Sequence, residues 1–374
     1  MYNSKEPIIR YRFCFLACIS FFLCLVMPTD AIALIERIPK QYRLPINALH
    51  QLTAQTSKEK IAYQHAELIR HSIENTPIKK WDYYYWGLPS NICRLHDKKE
   101  LCSFEGRISE PSAFCVNPPV NETLVRSSPS GKAINANWIK FGQYYFMLSE
   151  HPLLNKETTS LYWSIILENN IAAVFSIYTQ DDRKKWNIHG DIYHMSASSS
   201  LAMNFHRQNI NNKTETAWGS DQLSFQCFLL INSEAHTIRT MVWSKSSYNH
   251  LIQGNIIRHH ASVYHFLQWP DQESLPLSSV KEMVNSVLMF LNQGKVAIHC
   301  MAGLGRSALL IAMTVVRLWQ WDSPVSTKKE AIERIHDIIM TVKISRGFAA
   351  LRNPRYIEQL YQYQFELSGI PNLF

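Results

Sequence analysis

The chain has 374 residues, of which 46% are hydrophobic and 18% are charged, a composition typical of a globular protein and not of a disordered one. Lysine and arginine outnumber aspartate and glutamate by 38 to 30, which gives a net charge of +8. This charge would suit an acidic substrate, but the basic residues are spread along the chain, which is also the pattern of an ordinary soluble basic surface. The chain has no nucleic-acid-binding motif, so we predict no nucleic-acid partner.

The amino terminus has the pattern of a secretory signal peptide over residues 1–33. Basic residues precede an apolar run at residues 13–27, and the small-residue cleavage pattern A-x-A follows at residues 31–33. An uncleaved membrane anchor is the alternative, but the run has 15 residues, whereas a membrane-spanning helix needs about 20. We therefore expect an exported protein, periplasmic or secreted and able to act in a host cell, with no stable membrane insertion after cleavage.

Five cysteines lie beyond residue 33, and an odd count leaves at least one free thiol. In an oxidising compartment, up to two disulfides could form among four of them: Cys93, Cys102, Cys115 and Cys227. Cys93 and Cys102 are the most local pair, but the spacing does not determine the pairing. The spacing also does not match a zinc site, so we predict no metal.

Two long segments precede the first predicted strand. Residues 34–90 carry helical patterns, including a run at residues 57–73, with prolines as breaks. Residues 91–130 are rich in proline, serine and asparagine and predict a loop. We interpret residues 34–109 as a helical lead-in to a larger domain at residues 110–374.

The central part of the chain alternates between helical and strand patterns. Residues 163–178 predict a helix end, a turn at Asn169 and Asn170, and a buried strand. Residues 195–222 are polar without a clear period and predict a variable loop. Three strand-like stretches with the spacing of an antiparallel meander follow at residues 225–231, 236–243 and 261–266. Helical runs are predicted at residues 278–291 and 327–342.

Residues 295–307, K-V-A-I-H-C-M-A-G-L-G-R-S, have the pattern of a phosphate-binding loop. A short apolar strand precedes the loop, and a long apolar run predicts a buried helix after it. Gly303 and Gly305 allow the backbone to turn tightly, so that N–H groups can converge on an anion. Arg306 can bind two phosphate oxygens, and the same positive field should lower the pKa of Cys300 and make it a nucleophile.

A second motif, Trp-Pro-Asp, ends at Asp271, which lies 29 residues before Cys300. Together with the loop sequence H-C-M-A-G-L-G-R-S at residues 299–307, it resembles the protein tyrosine phosphatases, in which Trp-Pro-Asp forms a mobile general-acid loop. The resemblance covers most of residues 110–320 and includes the strand pattern K-A-I-N-A-N-W-I at residues 132–139. It implies an α/β fold with a twisted mixed sheet flanked by helices, and a catalytic domain over residues 110–374.

The resemblance implies a role for each residue of the loop. Cys300 would attack phosphorus, Arg306 would hold phosphate oxygens, and Asp271 would protonate the leaving oxygen and later activate water. Ser307 would hydrogen-bond the sulfur, and His299 would order the loop. The phosphate would be bound by the backbone N–H groups of the intervening residues: Met301, Ala302, Gly303, Leu304 and Gly305. This reaction needs no metal and no organic cofactor.

Three positions differ from the family pattern. Phe114 stands where a tyrosine normally stacks on the phosphotyrosine ring, and Val116 replaces an acidic residue that holds the substrate backbone. The glutamine that positions the hydrolytic water falls on Leu351 in an ungapped alignment. An alignment with a short insertion puts Glu358 there instead.

The resemblance predicts an enzyme that hydrolyses phosphotyrosine in proteins or peptides. A phosphoinositide or inositol polyphosphate phosphatase of the same superfamily is the first alternative, but such enzymes usually carry lysines in the loop, where this chain has neutral residues. A phosphate-binding pseudophosphatase is the second alternative, against which the intact cysteine, arginine and aspartate argue. The sequence does not indicate the oligomeric state.

Overall fold

The structure, a computed structural model, describes residues 43–74, 123–127, 131, 133–152, 156–185, 214–220, 223–232, 236–245, 257–347 and 349–369. The predicted signal peptide at residues 1–33 lies outside these ranges. The same holds for Phe114 and Val116, and for three of the cysteines considered for disulfides, Cys93, Cys102 and Cys115. The side chain of Cys227 is not described either.

A mixed sheet forms the centre of the fold. Its strands are β1 (Leu124–Arg126), β2 (Ala133–Phe141), β3 (Tyr144–Ser149), β4 (Ile171–Ile177), β5 (Thr214–Ser220), β6 (Leu223–Asn232), β7 (His236–Lys245), β8 (Ile257–Phe266) and β9 (Lys295–His299). Their order across the described sheet is β1-β2-β3-β9-β4-β8-β7-β6-β5. The four middle strands, β3, β9, β4 and β8, run parallel, and antiparallel strands extend the sheet on both sides.

Helices cover both faces of the sheet. They are α1 (Ile46–Thr53), α2 (Lys58–Glu74), α3 (Lys156–Glu168), α4 (Gln180–Lys185), α5 (Leu277–Leu291), α6 (Arg306–Asp322), α7 (Lys328–Arg346) and α8 (Pro354–Ser368). Alternation along β9 shows the two layers, because Val296 and Ile298 pack into one buried cluster and Ala297 into the other. The larger cluster includes α5 to α8, and the smaller one includes α3. The predicted α/β fold with helices flanking a mixed sheet is confirmed.

The predicted helical lead-in contributes to the same core. Leu49 and Leu52 of α1, with Ile61 and Ile69 of α2, belong to the larger cluster, together with buried residues of α7 and α8. The helices at residues 46–74 therefore pack on the main domain, and their apolar faces are buried by it.

Several elements differ from the sequence predictions, among them α4, for which no helix was predicted. β1 lies inside the segment predicted as a loop at residues 91–130, and β5 lies inside the loop predicted at residues 195–222. Both are edge strands, and backbone pairing with one neighbour forms such strands even where the sequence does not alternate. α8 was not predicted at all. It begins after Asn353, whose side chain accepts a hydrogen bond from the Arg355 N–H at 3.0 Å, with Pro354 at the first helical position.

The other predictions that fall within the described residues agree with the structure. The turn at Asn169 and Asn170 is present, with Asn170 at φ 50°, and the meander of β6, β7 and β8 is antiparallel. Among the helices in the described ranges, none is long and apolar enough to cross a membrane.

Candidate active site

The site forms where β9 ends and α6 begins. The connecting loop, residues 300–305, lies between His299 and Arg306, and we call it the phosphate loop after its sequence pattern. Gly303 has φ +68°, and a Cβ at this position would lie 2.3 Å from the Ser149 carbonyl oxygen. No other residue fits here, since both the backbone conformation and the space exclude a side chain. The loop thus passes directly against the end of β3.

The surrounding scaffold binds the carbonyl groups of this loop. The Met301 carbonyl accepts from the His151 N–H at 2.9 Å, and the Leu304 carbonyl accepts from the Leu351 N–H at 2.9 Å. Arg346 donates to the two carbonyls between them, those of Ala302 and Gly303. Because the carbonyls face the scaffold, the N–H groups can face the opposite side, where an anion would bind.

Cys300 lies at the base of the loop and is buried. The Ser307 hydroxyl donates to its sulfur at 3.2 Å. Burial by itself raises the pKa of the Cys300 thiol, but the charge of Arg306 and hydrogen bonds from Ser307 and from the Leu304 backbone outweigh burial, so the pKa is lowered. The site therefore favours a thiolate, which is the nucleophilic form of cysteine.

Arg306 is buried at the first position of α6 and is held by two different groups. Its Nη1 donates to the Asp182 carboxylate at 2.6 Å and to the Trp269 carbonyl at 2.8 Å. Its Nε has no hydrogen-bond partner within the described residues, and it lies 3.6 Å from an Asp271 carboxylate oxygen. One side of the guanidinium is therefore fixed by protein, and the Nε–H is available to a phosphate oxygen.

Asp182 combines a helix cap with an ion pair. Its carboxylate accepts from the Thr179 N–H at 2.8 Å, and the Thr179 hydroxyl accepts from the Asp182 N–H at 3.1 Å, so the two residues close the start of α4. Burial raises the pKa of Asp182, but the hydrogen bond and the charge of Arg306 outweigh it and keep the carboxyl ionised. A fixed negative charge therefore holds Arg306, the predicted phosphate-binding residue, in place.

The segment between β8 and α5, residues 267–276, carries the predicted acid, and we call it the acid segment. Trp269 is buried, and its indole N–H donates to the Glu273 carbonyl at 2.9 Å, which closes the Trp-Pro-Asp turn on itself. The Asp271 side chain is 46% exposed and faces the Arg306 guanidinium. The acid segment therefore lies over the phosphate loop, with the carboxyl group beside the predicted phosphate site.

A buried network holds the phosphate loop from below. Arg346 donates to the side-chain oxygens of Asn135 at 2.7 Å and Asn137 at 2.8 Å, in addition to its two loop carbonyls. Asn135 in turn donates to the Glu150 carboxylate at 2.8 Å. Burial lowers the pKa of Arg346 to about 10, so the guanidinium remains charged near neutral pH. The end of α7 is thereby tied to β2 and to the loop.

The structure brings together most of the residues predicted from sequence. The predicted catalytic group, Cys300, Arg306, Asp271 and Ser307, converges on one site. His299 is buried beneath the loop, with its ring edge-on to His151. Burial lowers the pKa of His299 to about 3, although an interaction with the Cys300 backbone opposes the shift. His299 is therefore a neutral group that packs below the loop.

The sequence leaves two alternatives, Leu351 and Glu358, for the position of the water-binding glutamine. The structure places Leu351 at the phosphate loop, through its hydrogen bond to the Leu304 carbonyl, with φ 52° and a buried side chain. Glu358 lies within α8, where Gln362 donates to its carboxylate at 3.2 Å. The residue next to the loop is thus apolar and cannot bind water through its side chain.

Sequence reasoning missed Asp182, Arg346 and the two asparagines. The Thr-x-x-Asp pattern at Thr179 was a local indication of a helix start, but it carried no indication that the carboxylate would face Arg306, 124 residues away. Within the described part of the chain, no group of three or more histidine, cysteine, aspartate or glutamate residues could hold a metal ion.

The chain is similar in sequence to known proteins. The sequence profile of a family described as protein-tyrosine phosphatase matches residues 116–366. Two curated proteins, both named protein tyrosine phosphatase domain-containing protein 1, align over 57 residues, with 42% identity for the Bos taurus protein and 40% for the Mus musculus protein. These alignments cover 15% of this chain but only 7% and 8% of the two relatives. The chain thus matches less than a tenth of their length.

Solved structures match over a larger part of the chain. The protein tyrosine phosphatase TcPTP1 of Trypanosoma cruzi matches with a TM-score of 0.55 and 12% identity, over 85% of this chain and 95% of that one. TbPTP1 of Trypanosoma brucei gives a TM-score of 0.53 and 14% identity, over 85% and 95%. PTPN18 in complex with HER2 phosphopeptides gives 0.53 and 14%, over 86% and 98%. At these identities the likeness shows a shared fold.

Proposed function

The chain belongs to the protein-tyrosine phosphatase family, and we propose that it hydrolyses phosphotyrosine in proteins or peptides through a cysteinyl-phosphate intermediate. The observation that carries the proposal is the position of Cys300, whose sulfur accepts from Ser307 at 3.2 Å within a loop that ends at Arg306. A nucleophile, a guanidinium and a carboxylic acid meet there, which is the set that phosphoryl transfer to cysteine requires.

In the first step the Cys300 thiolate attacks phosphorus in line with the leaving oxygen. The loop N–H groups and Arg306 bind the equatorial oxygens, where negative charge concentrates in the transition state. Asp271 lies beside Arg306 and donates its proton to the tyrosyl oxygen, which would otherwise leave as an unstable anion. The products are tyrosine and a phosphorylated Cys300.

In the second step water attacks the phosphocysteine, and Asp271, now a carboxylate, accepts the proton from that water. The Ser307 hydroxyl stabilises the sulfur as it leaves, since it already donates to the Cys300 sulfur in the structure. Leu351 stands at the loop without a polar side-chain atom. Water therefore has to be positioned by other groups in this enzyme.

Two observations support phosphotyrosine as the substrate. The side chains of Met301, Ala302 and Leu304 are neutral, whereas a polyanionic inositol phosphate would favour added positive charge in the loop. PTPN18, which shares the fold, is described in complex with phosphopeptides. A peptide carrying one phosphotyrosine places a single dianion in the loop, which matches the one arginine and the N–H groups there.

A comparison of three substrates tests the proposal. The protein lacking residues 1–33 is assayed on a phosphotyrosine peptide, on the same peptide with phosphoserine, and on inositol hexakisphosphate. We expect turnover of the phosphotyrosine peptide at a kcat/KM at least 100-fold above the other two. Consumption of inositol hexakisphosphate alone would contradict the proposal, and binding of phosphate without turnover of any substrate would indicate a pseudophosphatase.

Two substitutions test the chemical roles. Cys300→Ser should abolish turnover while phosphate binding remains, and residual turnover would exclude the cysteinyl intermediate. Asp271→Ala should lower kcat by about 100-fold or more, the usual contribution of a general acid, with little change in KM. An equal loss in kcat and in substrate affinity would show that Asp271 positions the substrate and does not transfer a proton.

We also propose that residues 1–33 direct export of the enzyme. The support is the sequence of the amino terminus, with basic residues, an apolar run of 15 residues and an A-x-A pattern. The test is expression of the full chain with a carboxy-terminal tag, followed by amino-terminal sequencing of the protein outside the cytoplasm. We expect a mature terminus at Leu34, and retention of the intact terminus in the cytoplasm or the membrane would contradict export.

A further inference from the structure

One face of α8 contacts the segment that carries the acid. The polar residues Asn353, Tyr356 and Gln359 recur every three positions, so they lie on the same side of the helix start. Each of them hydrogen-bonds the backbone of the acid segment. Asn353 donates to the Gln272 carbonyl at 3.3 Å, and Gln359 donates to the Leu275 carbonyl.

Tyr356 makes the central contact of this face. Its hydroxyl accepts from the Gln272 N–H at 2.8 Å, and Gln272 directly follows the acid Asp271. The side chain is 2% exposed, and its ring lies so close to Gly305 that a Cβ there would come within 2.8 Å of the ring carbon Cε2. Tyr356 therefore touches the phosphate loop with its ring and the acid segment with its hydroxyl.

The backbone of Gln272 needs this support. Its φ is +63°, in the left-handed region, where a residue with a side chain costs about 1 kcal/mol or more. Both backbone polar groups of Gln272 are bound by α8, the N–H by Tyr356 and the carbonyl by Asn353. These bonds offset the unfavourable conformation only while the acid segment lies against α8.

We propose that Tyr356 is a positioning residue for the general acid, and that its hydroxyl holds the acid segment in the closed arrangement over the phosphate loop. The proposal rests on the proposed phosphatase function, because it concerns the proton transfer by Asp271. The residue acts through the Gln272 backbone and does not touch the reacting atoms. It fixes the position of the acid segment relative to the phosphate loop, since one rigid side chain contacts the loop with its ring and the acid segment with its hydroxyl.

The hydroxyl is suited to this role because it stays neutral. Burial raises the pKa of Tyr356, and the nearby negative charge of Asp271 raises it further. A neutral tyrosine oxygen can accept from the Gln272 N–H at any pH where the enzyme is folded. The contact therefore remains in place while Asp271 cycles between its acid and base forms.

The kinetic test uses Tyr356→Phe, which keeps the ring against Gly305 and removes only the acceptor. We expect kcat on a phosphotyrosine peptide to fall by about five- to tenfold, the effect of one lost hydrogen bond, with KM unchanged within twofold. On an aryl phosphate with an electron-poor leaving group, which needs little protonation, the loss should shrink to less than twofold. An equal loss on both substrates would overturn the proposal.

Tyr363→Phe is the matched control. Tyr363 is a buried tyrosine two turns further along α8, and it makes no hydrogen bond to the acid segment in the described structure. Its kcat should stay within twofold of the parent enzyme. A fall equal to that of Tyr356→Phe would show that any loss of a hydroxyl from this helix disturbs the site, and it would contradict a specific role for Tyr356.

A double substitution separates positioning from general damage. In an Asp271→Ala background there is no acid to position, so the added Tyr356→Phe change should lower kcat by less than twofold. Losses that multiply would mean that Tyr356 acts independently of Asp271, and the proposal would then be wrong. The kcat values of the single and the double variant are compared at a temperature at which both proteins are fully folded.

Hydrogen exchange tests the contact without relying on activity. The Gln272 amide, bound to Tyr356 in the parent protein, should exchange at least fivefold faster in Tyr356→Phe and at the parent rate in Tyr363→Phe. Unchanged exchange at residues 270–276 would overturn the positioning role. If the parent enzyme hydrolyses no aryl phosphate but exchange changes as expected, the contact stands and the proposed function fails.

Discussion

Asp182 fixes the orientation of Arg306, the arginine that we propose binds phosphate. The bond between Arg306 Nη1 and the Asp182 carboxylate is 2.6 Å long, and both side chains are almost completely buried. A charged hydrogen bond of this kind, protected from water, fixes the guanidinium plane. Because Nη1 is used up by Asp182 and the Trp269 carbonyl, the remaining N–H groups keep one orientation toward the phosphate site.

Replacing Asp182 with asparagine should therefore weaken catalysis without removing any group that touches the substrate. The amide keeps the shape but removes the charge, which leaves the buried Arg306 without its counter-ion. We expect kcat/KM for a phosphotyrosine peptide to fall by about tenfold or more, measured by steady-state kinetics. Asp181→Asn is the control, since that carboxylate is 91% exposed, and it should stay within twofold. Equal effects would show that Asp182 has no specific role.

The lowered pKa of Cys300 predicts the pH dependence of its alkylation. A thiolate reacts with iodoacetamide and a thiol does not, so the inactivation rate should rise with a midpoint below about 8.5, the ordinary cysteine value. Ser307→Ala removes a hydrogen bond to the sulfur and should move the midpoint to higher pH. A midpoint at or above the ordinary value in the parent enzyme would contradict the electrostatic account of the site.

The residues that sequence could identify are those whose chemistry shows in a short motif. Cys300, Arg306 and Ser307 share one loop, and Asp271 ends a Trp-Pro-Asp motif. Asp182 belongs to no such motif, because its partner lies 124 residues away and only the parallel packing of β4 beside β9 brings them together. Tertiary contacts of this kind cannot be deduced from local patterns.

At the scale of elements, the packing of the phosphate loop against β3 leaves no space for a side chain at Gly303. Gly303→Ala would combine a left-handed backbone with a Cβ 2.3 Å from the Ser149 carbonyl, a backbone atom that cannot move without moving β3. We expect kcat/KM to fall by more than tenfold as the loop shifts.

The control for this substitution is Gly369→Ala at the end of α8. Gly369 has a similar φ of +60° with nothing within 4 Å of its Cβ position. It should cost about 1 kcal/mol of stability from backbone strain alone and leave kcat unchanged within twofold. If both variants lost activity equally, strain and not contact with β3 would explain the effect at Gly303.

Elements were predictable where packing and sequence pattern coincide. β9 is buried on both faces, and its apolar sequence predicts this burial. By contrast, α8 presents polar side chains to the acid segment on one face and apolar ones to the core on the other. The polar face contacts residues 272–275, and no pattern within α8 predicts these contacts.

At the scale of the whole molecule, a buried pair of histidines joins the amino-terminal helices to the catalytic domain. His65 of α2 lies 2.9 Å from His336 of α7 through their ring nitrogens, and Tyr361 of α8 lies 2.8 Å from the other nitrogen of His65. These distances fit a neutral His65 that accepts from Tyr361 and donates to His336. Protonation of His65 would remove its acceptor and place a charge in the core.

This arrangement predicts that stability falls in mild acid. Burial, with His336 and Lys343 adding to it, lowers the pKa of His65 well below its ordinary value of about 6.5. Between the folded and unfolded pKa values the unfolded chain binds more protons, so stability is full above about pH 6.5 and is lost as pH falls below it. Urea unfolding should show the free energy of unfolding falling by up to about 1.4 kcal/mol per pH unit from this group.

His65→Gln should show a shallower dependence of the unfolding free energy on pH, while His71→Gln, on the exposed side of α2, should keep the slope of the parent protein. Equal slopes in all three proteins would place the acid sensitivity elsewhere in the molecule.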